Sequence, residues 1–157
     1  MRKGFALVAA PVVFGALAAP ATAQTARPML DYASAATMRD ACVAYAQAHG
    51  TSVAIAVYDD EGRLLAYAVM DGVVNVAGEL AEWKARAALG YRVSTADMAK
   101  WGATGVPGTA NLPGGVPVFT ADGKALGAIG VSGGANGADL PCAQAGVAAA
   151  GLKETAS

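Results

Sequence analysis

Residues 53–70 read Val53-Ala-Ile-Ala-Val-Tyr-Asp-Asp-Glu-Gly-Arg-Leu-Leu-Ala-Tyr-Ala-Val-Met70. Val53, Ile55 and Val57 alternate onto one face, so residues 51–58 read as a strand. Asp59-Asp60-Glu61-Gly62 is a turn, and Arg63 to Met70 is the return strand of a hairpin. A second hairpin follows later in the chain. Val116 to Thr120 is its first strand, Ala121-Asp122-Gly123 its turn and Lys124 to Val131 its second strand. Two hairpins make an antiparallel sheet whose apolar faces must be covered by helices. The fold class is therefore α+β, not a parallel doubly wound sheet.

The covering helices have their own signals. Asp31 to His49 reads as a helix closed by Gly50 at a C′ position. Met38, Cys42, Tyr45 and His49 follow a 4-3-4 spacing that forms one stripe. After a loop at residues 71–77, a second helix spans about Gly78 to Arg92. Ser94-Thr95-Ala96-Asp97 looks like a cap into a short helix ending near Trp101. Residues 102–115 are rich in Gly and Pro and read as irregular. Residues 132–138 form a Gly-rich loop. Asp139 is expected to cap the last helix, which runs to about Leu152 with Pro141 in its first turn.

The chain has 157 residues, 55% hydrophobic and 15% charged, with a formal net charge of −1. That is room for one domain, and the balance excludes disorder over most of it. Near-neutral charge gives no electrostatic footprint for nucleic acid or an anionic membrane. One His and two Cys exclude a four-ligand zinc site of the usual type. Met1-Arg2-Lys3 is a basic start, residues 5–19 are apolar, and Ala21-Thr22-Ala23 offers a small-x-small cleavage pattern. Residues 1–23 are thus expected to be a signal peptide, cut after Ala23, and the mature protein to be periplasmic or secreted with no membrane segment. A retained anchor is disfavoured by Pro11 and Pro20 and by the short uncharged stretch. Residues 24–30 would be a loose N-terminus, residues 31–152 the domain and residues 153–157 a frayed tail. In an oxidising compartment Cys42 and Cys142 are expected to form a disulfide between the first and last helices; the alternative is two buried thiols. Cys142, Gly146 and Ala149 share a helix face whose small residues permit close approach to the first helix.

Three stretches together resemble a known family. They are Val53 to Arg63, Met70-Asp71-Gly72 with Lys84-Ala85 beyond it, and Gly114-Gly115-Val116-Pro117 followed by Leu126-Gly-Ala-Ile-Gly-Val-Ser-Gly133 and Asp139. In order and spacing they are similar to the GlcG/HbpS family of haem-binding and haem-degrading proteins and PduO C-terminal-like domains. The resemblance covers residues 31–152. It implies a profilin-like antiparallel sheet of about five strands flanked by helices, assembly as a homo-oligomer, and binding of haem or a related tetrapyrrole. The hairpins supply four strands, and a short fifth is expected near Asn111-Leu112. The family commonly carries Arg just before Met-Asp-Gly, where this chain has Val69, so that cationic contact is missing here.

Candidate site residues follow from chemistry and resemblance together. Lys84 lies on an apolar helix stripe with Leu80, Trp83, Ala87 and Tyr91. An ammonium there must pair, snorkel or serve a ligand. The ligand would be a haem propionate or a small organic acid, and the structural alternative is an ion pair with a carboxylate such as Asp71. The loop containing Ser132, Gly133 and Gly134 precedes a helix N-terminus and suits an anion, although a tight turn needs the same residues. Gly114 and Gly115 allow close backbone approach to a ligand or a neighbour. Glu79 and Glu82 stand at i and i+3 and could hold iron, or could serve the helix dipole and pair with Arg86. His49 is the sole imidazole candidate for haem iron, or a helix-terminal residue satisfying carbonyls. Tyr, Met, Cys or a group from another subunit are the other axial options.

Three functions fit. The first is an exported haem or tetrapyrrole binder, with slow haem degradation as an added activity. The second is an enzyme on a small 2-oxo or 2-hydroxy acid, held by Lys84 with Asp71 or Glu79 as proton acceptor. The third is a non-catalytic oligomeric accessory protein.

Overall fold

A computed structural model of the chain describes Met1 and residues 25–102 and 106–156. The leader expected at the start therefore lies outside the described residues. Helix α1 (Tyr32–Ala48) leads into the hairpin β1 (Ala54–Asp59) and β2 (Leu64–Val69). Helix α2 (Ala77–Tyr91) and the short α3 (Thr95–Met98) follow, then β3 (Gly115–Phe119), β4 (Ala125–Ser132) and α4 (Asp139–Ala149). The four strands form one antiparallel sheet in the order β2-β1-β4-β3. Helices α1 and α4 cover one face and α2 the other.

The two faces are filled differently. Val53, Ile55 and Val57 share the α1/α4 face with Ile129, Val131, Val116 and Val118, all fully buried. The other face is built from Ala54, Ala56 and Tyr58 against Ala77, Ala81 and Ala85 of α2. Gly130 extends it: a side chain there would meet the Ala81 carbonyl and sit 2.9 Å from the Ala85 Cβ. So α2 lies close on the sheet, and its buried face consists of small residues plus Lys84. The expected stripe through Leu80, Trp83, Ala87 and Tyr91 is therefore corrected. Leu80 and Trp83 are half-buried and Tyr91 is exposed, because there is no room for bulk beneath the helix.

Helix α1 ends as its sequence implies. Gly50 takes φ +62°, its N–H bonds to the Gln47 carbonyl at 3.2 Å, and the Thr51 N–H bonds to the Ala46 carbonyl at 3.0 Å. The stripe drifts there: Met38 and Cys42 are buried, but Ala46 takes the next buried place and His49 is exposed. Cys42 and Cys142 form the disulfide joining α1 to α4, with Cα atoms 4.7 Å apart. Closing a loop of that length is worth about 4–5 kcal/mol on the chain-entropy argument. Gly146 lets α4 approach: a Cβ there would sit 2.7 Å from the Met38 carbonyl oxygen. Ala149, expected on that face, is exposed.

Among the described residues the sheet has four strands, and residues 111–112 are not a fifth. The nearest approach to a fifth comes from the chain end. Lys153, placed by the sequence in a fraying tail, exchanges both backbone hydrogen bonds with Phe119 at 2.8 and 3.0 Å on the edge of β3.

The first hairpin turns on Asp59, which is fully buried. Its Oδ1 accepts from the N–H groups of Glu61 and Arg63, and its Oδ2 from the Arg63 guanidinium at 2.7 Å. Burial pushes the carboxyl's pKa up, but the Arg63 backbone and guanidinium and the Glu61 N–H outweigh it and hold the pKa below the ordinary carboxylate value. A depressed folded pKa contributes stability that is complete above the unfolded value and is lost as pH falls through the folded one. Asp59→Asn should therefore cost about 1.5–3 kcal/mol at pH 7. The gap to the parent should begin to narrow as pH falls below about 4 and keep narrowing down through the depressed folded pKa, as urea melts across pH will show.

Candidate functional site

The strand ends opposite the hairpin turns gather most of the residues singled out in the sequence. Lys84 reaches there from the middle of α2 and is only 3% exposed. Its Nζ donates to the Val131 carbonyl of β4 at 2.9 Å and to Asp139 Oδ2 of α4 at 2.7 Å. The other carboxylate oxygen of Asp139 accepts the Gly134 N–H at 2.7 Å. Asp139 does not cap α4, as its place in the sequence suggested; Ala138 stands at the N-cap position, and Asp139 sits in the first turn serving the loop before it. One buried ion pair thus ties α2, β4, the Gly-rich loop and α4 together.

The glycines fit this packing. Gly114 takes φ +127°, where a Cβ would sit 3.2 Å from Lys84 Nζ and 2.9 Å from the Asp139 Cβ. Its carbonyl accepts the Val131 N–H at 2.9 Å. A side chain on Gly115 would strike the Lys84 backbone carbonyl and the Thr95 methyl group. Gly133 lies against Val73 and Ala77. Ser132 is buried, on the sheet face that α2 covers, paired in register with Ala54. Asp71 is exposed, and its backbone carbonyl accepts the Ser52 hydroxyl at 2.7 Å. The carboxylate partner of Lys84 is Asp139, not Asp71. The ammonium expected to hold a ligand carboxylate is instead engaged by an internal one, out of solvent's reach.

The remaining candidates lie elsewhere. Glu82 Oε2 accepts from the Tyr58 hydroxyl at 2.8 Å and from Arg86 Nη2 at 2.6 Å. Burial raises the Tyr58 pKa, and its hydrogen bond to Glu82 raises it further. Glu79 is exposed one turn earlier. Among the described residues no group of three or more His, Cys, Asp and Glu side chains could hold a metal ion. His49 ends α1 with Nδ1 2.7 Å from the Tyr45 carbonyl, and its ring stacks on Tyr45 with centroids 4.0 Å apart. A carbonyl only accepts, so Nδ1 carries the proton and the Nε2 lone pair of the neutral ring is left for another partner. The ring borders a groove of about 230 Å³ lined also by Thr51, Asn136, Gly137 and Pro141. No described helix is long and apolar enough to cross a membrane.

Sequence reasoning missed two residues. Asp139 reads as a cap in the sequence, although its spacing from Gly133-Gly134 also suits a carboxylate folded back on the loop. Thr95 reads in the sequence only as part of the Ser94 cap. Its buried hydroxyl donates to the Leu112 carbonyl at 2.6 Å and accepts the Gly115 N–H at 2.8 Å, which fixes the entry into β3.

Removing one member of a buried pair leaves the other uncompensated. Lys84→Met should destabilise the fold by about 3 kcal/mol, and Lys84→Met with Asp139→Asn should recover part of that loss. Denaturant melts of the single and double variants check this. Unchanged stability in Lys84→Met would mean that the ammonium serves something other than the fold.

Protein GlcG of Escherichia coli is 42% identical over 87 residues, covering 52% of this chain and 64% of GlcG, in each of two strains. The chain thus matches less than two thirds of that relative's length. A crystal structure of HbpS superposes with a TM-score of 0.75 at 34% identity, covering 84% of this chain and 97% of HbpS. A double Glu-to-Asp mutant of HbpS from Streptomyces reticuli gives 0.74 at 33% identity, covering 90% of this chain and 97% of that one. The PduOC:Heme complex has the same fold, with a TM-score of 0.74 at 24% identity over 82% of this chain and 99% of that one. Residues 30–148 match the family model described as haem degrading protein HbpS-like. The chain belongs to the HbpS-like family.

Proposed function

We propose that this protein is exported and binds haem or a related tetrapyrrole. The observation that carries the reading is the match of residues 30–148 to a family described by haem degradation. The occurrence of the same fold in the PduOC:Heme complex supports it at the level of fold. Export is supported by the basic and apolar start, by Ala21-Thr22-Ala23, and by a disulfide of the kind that persists in oxidising compartments. Slow haem degradation and assembly of several copies are further parts of the same proposal.

His49 is the axial ligand we assign to the iron. An iron-bound imidazole ordinarily donates its other N–H to a carbonyl or carboxylate, which fixes the ring. His49 already has that arrangement through the Tyr45 carbonyl, and Tyr45 stacks against its face. The groove of about 230 Å³ beside it is smaller than a typical small-molecule pocket. Haem would therefore seat with one face partly uncovered or against a second copy. When bound, haem would supply the redox and oxygen chemistry. The chain's own part is to fix the imidazole and to cover one edge of the ring. Lys84 has no part in this reading, and neither do Glu79 and Glu82.

Haemin titration followed by absorbance, with thermal melting on the same samples, tests the proposal. The expected result is a saturable Soret shift near one haem per chain and a raised melting temperature. His49→Ala should move the band and weaken binding about tenfold or more. A shift that never saturates, with no stabilisation, would overturn haem binding. An unchanged band in His49→Ala would overturn the axial assignment alone.

A further inference from the structure

The hairpin end of the sheet, about 17 Å of strand away from His49, carries a second concave surface. A groove of about 500 Å³ runs between the segment before α1, the two hairpin turns and the end of α2. Arg27, Arg92 and Lys124 line it, with Asp60 as its acidic residue.

Charge pairing makes the groove unusual within this molecule. Arg39, Arg63, Lys84, Arg86, Lys100 and Lys124 each have a carboxylate within salt-bridge distance. Among the described residues Arg27, Arg92 and Lys153 do not, and two of these three line the same groove. Lys124 pairs only with the exposed Asp122 at 3.0 Å. Arg92 is also held in a conformation that its residue type disfavours. It closes α2 with φ +56° and ψ +33°, the left-handed position that glycine occupies at least cost. Its N–H bonds to the Ala88 carbonyl at 2.9 Å, a bond that a glycine would make equally well. The cap itself thus does not call for an arginine at this position.

We infer that this groove binds a small dianion, a dicarboxylate or a phosphate, between Arg27 and Arg92. Guanidinium groups take carboxylate and phosphate oxygens in paired hydrogen bonds, and the volume suits a metabolite-sized ligand. Asp60, also in the lining, opposes an anion, and the three cations there outnumber it. The site stands apart from the haem reading, because it lies at the other end of the sheet.

Calorimetric titrations with succinate and with inorganic phosphate test this on the whole protein, on Arg27→Ala and on Arg92→Gly. Glycine relieves the left-handed backbone, so Arg92→Gly should melt at the same or a higher temperature than the parent. The expected result is saturable binding of one anion per chain by the parent, weakened about tenfold or more in each variant. Succinate binding would assign the groove to dicarboxylates, and phosphate binding alone would assign it to phosphate. No saturable heat with either anion, or equal binding by parent and variants, would overturn the inference. Neither result bears on the Soret titration, so the haem reading stands or falls separately.

Discussion

The Lys84 ammonium holds together parts of the chain that no local signal joins. Its two partners come from β4 and from α4, the latter 55 positions away. The pair is buried enough that losing either partner leaves an uncompensated charge or carbonyl. The Gly-rich loop is held through the same carboxylate. Residues 132–139 and α2 are therefore tied to each other by one shared interaction.

The closeness of α2 to the sheet explains much of the composition. A helix can lie so close to a sheet only if both surfaces are nearly smooth. Ala54, Ala56 and Gly130 supply one surface, and Ala77, Ala81 and Ala85 the other. The larger side chains sit on the opposite sheet face, where α1 and α4 stand off far enough for valine and isoleucine to interdigitate. The disulfide and Gly146 then draw those two helices together. Glycines that could have marked a ligand's approach are explained by approach of the protein to itself.

The elements governed by neighbours in sequence were legible. Both hairpins, the Gly50 terminus and the Ser94 cap depend on contacts within a few residues, and the pattern shows them. The disulfide was legible too, because the chain has only two cysteines and its basic, apolar start led to the expectation of an oxidising compartment. The buried face of α2 was not. Hydrophobicity points to Leu80, Trp83 and Tyr91, whereas the contact selects for small size, which the pattern does not distinguish from mere helix propensity. The partner of Lys84 was equally hidden. Asp71 and Asp139 are both carboxylates, and only the topology of the sheet brings the second within reach. The pairing of Lys153 with Phe119 depends on where α4 ends in space, which no local preference records.

The two proposed ligand sites lie at opposite ends of the sheet, and the buried Lys84–Asp139 pair lies at the strand ends nearer His49. Ligand chemistry is assigned to exposed residues whose bonding capacity is still open, and the most suggestive buried cation is assigned to the fold. Chemical-shift mapping with diamagnetic gallium protoporphyrin tests that division most directly. The account predicts perturbations centred on Tyr45, His49, Thr51 and residues 135–138, with Lys84, Gly114 and Ser132 unmoved. Perturbations centred on Lys84 and Ser132, with His49 unchanged, would contradict it.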